Sequence, residues 1–306
     1  ADEFFRRVRE GRIEVAGIYL NLTDLFGEDL LRRSLEYAND LSKQHGFEVV
    51  TAMNDDVNGW AWGLSRLMAE QGIKYFDTAI NETRALGVRP RPSPFYWASP
   101  DGARVLMWHG SGYLSGNLWG LDKPGAEKQV AEYLKKLEDE GYPHNAVEVR
   151  IHGEFHDNAP PGLWICDAVR EWNARWEYPK MRLCTARTWF EQVESHWPEP
   201  IRELRAGWPD WWADGNGSAL YESSLVRKAQ AHIMTAEAAQ RAGGILDRSR
   251  LDDATEAAMF FAEHTWGAWC STDAPDSLES RAQWNTKAGF AYTAAVEAET
   301  LALDAV

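Results

Sequence analysis

Short apolar runs and amphipathic stretches alternate through the first two thirds of the chain. The runs Arg12–Asn21, Phe47–Met53, Ile73–Ile80, Arg104–His109, Ala146–His152 and Lys180–Thr185 lack a clean two-residue alternation. That is the pattern of strands buried on both faces. Between them the apolar spacing changes to three and four. Glu28–Leu41 puts Leu30, Leu31, Leu35, Ala38 and Leu41 on one face, and Trp62–Gln71 stops at Gly72, a residue suited to a helix C-cap. Gly125–Glu140, carrying Val130, Tyr133, Leu134 and Leu137, and Pro161–Trp176 read as two further helices. Strand and helix alternating in this way predict parallel βα units that close into a barrel or lie as an open sheet.

The pattern changes near residue 200. Pro198 and Pro200 interrupt the chain, an aromatic loop runs from Trp208 to Gly215, and only helical spacing remains beyond it. Ala219–Gly243, Asp252–His264 and Asp276–Leu303 are long enough, and closely enough joined, for a three-helix bundle. The expected division is an α/β domain over residues 1–205 and a helical domain over 206–306. The opening residues Ala1 to Arg7 already carry a helical pattern with no initiator Met or signal peptide, so the sequence reads as part of a longer one.

Composition narrows the partners. Of the 306 residues 47 are acidic and 32 basic, a net charge of −15 that would repel nucleic-acid phosphates and anionic membrane surfaces. No apolar run reaches the roughly 18 residues needed to cross a bilayer. Cys166, Cys184 and Cys270 are odd in number and widely spaced in apolar surroundings. They read as buried free thiols in a reducing, cytoplasmic setting. The sequons at Asn21, Asn81 and Asn216 are then chance matches. Tryptophan stands out, at 16 residues.

Several chemistries are missing their signatures: there is no GxSxG elbow, phosphate-binding glycine loop, dinucleotide fingerprint or HExxH. What remains is carboxylates at strand ends, histidines and indoles. The strand ending at Met53 runs into Asn54-Asp55-Asp56-Val57-Asn58-Gly59-Trp60. Residues just past a parallel strand's C-terminal end face the mouth of the fold, where paired carboxylates serve chemistry; equally, one of them can cap the following helix. The strand ending at His152 runs into Gly153-Glu154-Phe155-His156-Asp157-Asn158, which is either a reactive cluster or a turn before the Pro-started helix. His264 and His109 each end an apolar element, as ligands or as hydrogen-bonded core residues. Trp208, Trp211, Trp212, Trp266 and Trp269 lie beside acidic positions, and indole faces next to carboxylates suit a sugar ring; each can also serve as packing between helices.

Taken in this order, the pieces resemble the family 38 glycoside hydrolases, the class II α-mannosidases. The resemblance implies an irregular (β/α) barrel followed by a three-helix bundle. Asp56-Val57-Asn58-Gly59 stands where the family has Asp-Pro-Phe-Gly, and the spacing to Gly72 fits. By that resemblance Asp56 is the nucleophile and a zinc ligand. His264 occupies the place of the zinc-binding histidine of the bundle. The family's other two zinc ligands, in a His-x-Asp, have no counterpart here and would fall upstream of Ala1, so zinc is expected to be weak or absent in this chain alone. Asn117 stands at the family's general-acid position and cannot donate an acidic proton, which leaves Asp157 as the acid. Asn58, Trp60, His109, Trp208, Asp210, Trp211 and Trp212 are the candidate substrate-facing residues.

The activity this implies is retaining hydrolysis of α-mannosidic bonds, with a carbohydrate as partner and neither nucleic acid nor membrane. Two alternatives stand beside it. A metal-dependent carbohydrate deacetylase also uses Asp and His at strand ends and would release acetate. A non-catalytic sugar-binding protein on a degenerate barrel would bind mannosides without turning them over.

Overall fold

The computed structural model describes residues 1–306 except 22, 24, 58, 82–86, 155–158, 209–216, 266–269 and 306. Its elements in chain order are α1 (Asp2–Arg9), α2 (Glu28–His45), β1 (Thr51–Met53), α3 (Gly63–Glu70), β2 (Tyr75–Thr78), β3 (Ser93–Ala98), β4 (Arg104–His109), α4 (Ser115–Trp119), α5 (Ala126–Asp139), α6 (Trp164–Arg175), α7 (Ala186–His196) and β5 (Glu203–Leu204). The last three, α8 (Leu220–Arg241), α9 (Arg248–Ala262) and α10 (Leu278–Asp304), are helices. No described helix is long and apolar enough to cross a membrane.

The chain packs as two units. The first holds residues 1–17, 38–56 and 68–206; the second holds 18–37, 57–67 and 207–306.

In the first unit the described strands form one sheet in the order β1-β2-β4-β3-β5. β1, β2 and β4 are mutually parallel, β3 runs antiparallel to β4, and β5 pairs parallel with β3. The sheet is therefore mixed α/β and mainly parallel. All of β2 and five of the six residues of β4 are buried, which explains the unbroken apolar runs in the sequence. Trp189, Phe190 and Val193 of α7 pack on Tyr75, Leu106 and Trp108 of the sheet. Tyr75 and Phe190 stack with ring centroids 4.8 Å apart. A side chain such as Phe190, fully buried, contributes about 1.5–3 kcal/mol by leaving water.

Several expected elements differ. β3 lies where the sequence reading places no strand; its Pro94 sits opposite Trp108, beyond the two residues that β5 pairs, where its missing N–H costs no rung. The segments 146–152 and 180–185 are not strands. Their main chains are held instead by helix side chains: Asn117 of α4 donates to His152 O (2.9 Å) and accepts from His152 N (2.8 Å). Asn173 of α6 treats Met181 the same way, at 2.8 and 2.9 Å. Residues 12–21 form no strand either, though Gly17 N donates to Thr51 O at 2.8 Å. Helix α7, started by its Thr185 cap, lies where the apolar spacing predicts none. The three thiols are free, but only Cys270 is buried; Cys166 and Cys184 are exposed.

In the second unit α8, α9 and α10 pack on one another. Their facing positions are mostly small: Ala229 and Ala236 on α8, Ala254 and Ala258 on α9, Ala288, Ala291, Ala294 and Ala298 on α10, all buried. Alanines at three- and four-residue spacing let the helix backbones approach closely while keeping high helix propensity.

Candidate active site

β1 ends at Met53, but its ladder with the β2 side continues. Asn54 N donates to Asp77 O, Asp56 N to Ala79 O and Asn81 N to Asp56 O, at 3.1, 3.1 and 2.9 Å. Between these rungs the Asp55 carboxylate accepts the amide of Ala79 at 3.0 Å. Asp56 then takes φ +74°, the one non-glycine residue with positive φ among the described residues. For an L-residue this left-handed region costs about 1–2 kcal/mol, so the surrounding bonds must hold it. It falls on the residue the sequence singles out as nucleophile. Asn54, fully buried beside it, has a side-chain amide with no hydrogen-bond partner among the described residues.

Behind this turn lies a buried charge cluster. Arg150 pairs with Asp55 through Nη1, with Asp77 through Nη2, and with Glu148 through Nε at 3.2 Å. Glu148 also accepts Trp108 Nε1 at 3.1 Å. Three carboxylates share one guanidinium, and burial raises the pKa of two of them. Glu148 is pushed up to about 7 by burial, opposed by the Trp108 hydrogen bond. Asp77 is raised well above its ordinary value by burial and by Glu148 beside it. The cluster thus retains a proton where exposed carboxylates would be ionised. Asp55 has a further neighbour, His152, whose Nε2 lies 3.5 Å from Oδ2 and whose side chain is one-third exposed. Asn117 is committed to the His152 main chain, and Gly116 N donates to Arg150 O at 2.8 Å. A Cβ at Gly116 would lie 2.8 Å from that carbonyl, so α4 can press against 150–152 only with glycine there.

His109 is fully buried. Burial, then Arg91, Arg89 and Arg202, hold its pKa down to about 3, so it is neutral. Gly87 packs directly on its ring, where any Cβ would overlap Nε2. In the second unit Trp60 is buried and Trp208 partly buried, their rings 4.9 Å apart and tilted by 39°, with Trp208 N donating to Trp60 O at 3.1 Å. Also there, His264 Nδ1 lies 2.5 Å from Glu263 Oε1. Asn58, Asp157, Asp210, Trp211, Trp212, Trp266 and Trp269 lie outside the described residues.

The structure therefore joins Asp55 and His152, two residues the sequence marked in separate motifs. Sequence reasoning passed over Asp77, Glu148, Arg150 and Lys287. A signal existed for the first three: each is a charge inside an otherwise apolar run, Asp77 in Tyr75-Phe76-Asp77 and the other two at alternate positions in Val147-Glu148-Val149-Arg150. As to zinc, the carboxylate of Asp56 and the imidazole of His264 have the right donor chemistry, and the Glu263 bond is the kind of outer contact a ligating histidine makes. Among the described residues no three His, Cys, Asp or Glu side chains gather closely enough to hold a metal.

Residues 3–212 match the model of the glycosyl hydrolases family 38 N-terminal domain. Among solved structures the chain is similar to an alpha-mannosidase from Enterococcus faecalis V583, with TM-score 0.69 and 16% identity, covering 98% of this chain and 35% of that one. A protein in glycosyl hydrolase family 38, also from Enterococcus faecalis, gives TM-score 0.61 at 14% identity, over 98% of this chain and 32% of that one. The chain thus spans about a third of the length of the structures it matches. No curated protein sequence matches it.

Proposed function

From a chain that belongs to glycosyl hydrolase family 38, we propose a retaining α-mannosidase-like glycoside hydrolase with Asp56 as nucleophile. The observation that carries this reading is the left-handed backbone of Asp56 at the end of β1. The N–H and C=O of Asp56 hold that backbone against the β2 side, and strain held in this way clusters at functional sites. The sheet would be the core of an irregular barrel, with α8–α10 as its three-helix bundle and the division between the two near residue 205.

In this mechanism the Asp56 carboxylate attacks the anomeric carbon as Asp157 protonates the departing oxygen, giving a glycosyl ester on Asp56. Asp157, now ionised, takes a proton from water, which opens the ester and restores both groups. The two carboxyl groups would lie about 5–5.5 Å apart for this stereochemistry. Asp56 and His264 are the residues that would hold zinc, which when bound supplies Lewis-acid polarisation and a template for sugar hydroxyls. Trp60 and Trp208, with Asn58, His109, Asp210, Trp211 and Trp212, would complete the sugar site. A carbohydrate is the partner, and free thiols favour a cytoplasmic setting.

Asp56→Asn in the full protein tests this directly. Turnover of an aryl α-mannoside should be lost while the fold, read by circular dichroism, is kept. Undiminished turnover would end the nucleophile assignment. Asn117, occupied by the His152 main chain, favours a second reading, a sugar-binding protein without catalysis; mannoside binding by the unaltered protein with no product released would select it. Acetate released from an acetylated sugar would select the deacetylase.

A further inference from the structure

The segment Arg89-Pro90-Arg91-Pro92 leads into β3, and its two prolines have no N–H to extend the ladder. β3 runs antiparallel to β4, with Ser93 opposite His109. It therefore starts at the edge of the sheet where β1, β2 and β4 end, the edge on which Asp56 stands. Arg202 comes to the same region from the other side. It immediately precedes β5, its carbonyl accepts Tyr96 N at 2.9 Å, and its guanidinium lies over the Phe95 ring, 5.7 Å from the centroid. Phe95 and Ser93 alternate with His109 on one sheet face, and all three are buried.

Three guanidiniums, those of Arg91, Arg89 and Arg202, act on the His109 ring from this rim. Arg89 is exposed and Arg202 half-buried. Arg202 Nη2 is itself buried with no hydrogen-bond partner among the described residues. Burial lowers the pKa of Arg202 and no carboxylate raises it. The acid next to it, Glu203, is taken by Arg205 at 2.7 Å and Arg104 at 3.7 Å. In a chain of net charge −15, acids to pair these arginines were plentiful. A buried guanidinium nitrogen left unsatisfied costs free energy, which a bound oxyanion recovers. A carboxylate would balance one of the charges; a phosphate monoester brings close to two and three acceptor oxygens for the planar forks.

We propose that Arg202 and Arg89, with Arg91 adding positive charge, form a subsite for a phosphate monoester carried on the leaving portion of the glycoside. The inference rests on the reading of the Asp56 end of the sheet as the sugar site. Strand order puts β3 three places from β1, roughly 14 Å at about 4.8 Å per strand. That is farther than the reacting sugar ring spans, so the phosphate belongs to the part of the substrate beyond it.

The test uses the full protein with two substrates, phenyl α-mannoside and its 4-phosphonooxyphenyl counterpart, and calorimetric titration with inorganic phosphate. The phosphorylated substrate should have a kcat/KM about 10–100-fold higher, a preference that shrinks as salt is added. Arg202→Gln and Arg89→Gln should each bring that ratio towards one and weaken inorganic phosphate about 10-fold. Arg202→Lys, which keeps the charge and loses the fork, should fall between. Arg89 is exposed, so its variant serves if Arg202→Gln does not fold. No phosphate binding, or binding unaltered in both Gln variants, would overturn the subsite. Phosphate bound with a substrate ratio of one would mean an adventitious ion only. If neither mannoside is turned over, the mannosidase reading fails by itself. Calorimetric affinities of the two mannosides then decide the subsite: tighter binding of the phosphorylated one, lost in the Gln variants, upholds it, and equal binding rejects it.

Discussion

Two buried charge clusters, one in each unit, are built on opposite principles. Around Arg150 three carboxylates converge on one guanidinium. Around Lys287 a single carboxylate meets a single ammonium, and every remaining donor goes to a helix-end carbonyl. The first is over-supplied with acid and stores a proton near neutral pH; the second is balanced and remains ionised down to about 2. The Arg150 cluster is the more deeply buried of the two, so burial and the excess of carboxylates act together to make it the one that responds to pH. The over-acid cluster also underlies the strained Asp56, whereas the balanced one ends a relaxed helix.

Removing the cation from each cluster gives the largest expected contrast. Arg150→Met leaves Asp55, Asp77 and Glu148 without a counter-charge and should cost about 3–5 kcal/mol at pH 7. The loss should shrink towards pH 5 as the carboxylates take up protons, which urea unfolding at several pH values would reveal. Lys287→Met should cost about 2–3 kcal/mol, less because Glu263 retains the His264 and Thr265 donors. That cost should be level between pH 5 and 8; a slope matching that of Arg150→Met would remove the distinction.

Glu148→Gln isolates the stored proton. Folded Glu148 keeps its proton up to about 7, while in the unfolded chain it leaves near 4.5. Between those values the native state binds more protons, so stability falls as pH rises through the window and is flat above it. The Gln variant should lose that slope and gain on the order of 1–2 kcal/mol at pH 8. Thermal melts whose pH dependence is unaltered would place the proton elsewhere. The smallest effect is Asp56→Gly. Glycine adopts positive φ without penalty, so stability should rise by about 0.5–1 kcal/mol while aryl α-mannoside turnover disappears. A destabilised Gly variant would mean that the carboxylate itself secures the turn.

Much of this organisation was legible from residue spacing. β1, β2, β4 and seven helices lie where the apolar periods put them, and the Asp55-Asp56 step falls at a strand end as read. The misses share a cause: local pattern does not reveal who satisfies the backbone. Residues 146–152 and 180–185 look like strands because they are apolar and extended, yet Asn117 and Asn173 supply the rungs, and a side-chain amide leaves no periodic trace. β3 was hidden by prolines tolerated only because of where β5 stops. Arg150 and Lys287, by contrast, belong to no motif. Their roles depend on partners 95 and 24 positions away.

The second unit is assembled from residues 18–37, 57–67 and 207–306. Thr23 Oγ1 donates to Ala262 O across 239 positions of sequence, and Gly27 N to Gln230 across 203. On a ribosome adding about 5–20 residues per second, the early pieces emerge tens of seconds before the helices that receive them. Until then their apolar side chains have no native surface to cover, and closing such long loops slows the step further. During synthesis, then, the first unit can gather most of its sheet early, while the unit that carries His264 becomes possible only when the last helices have left the exit tunnel.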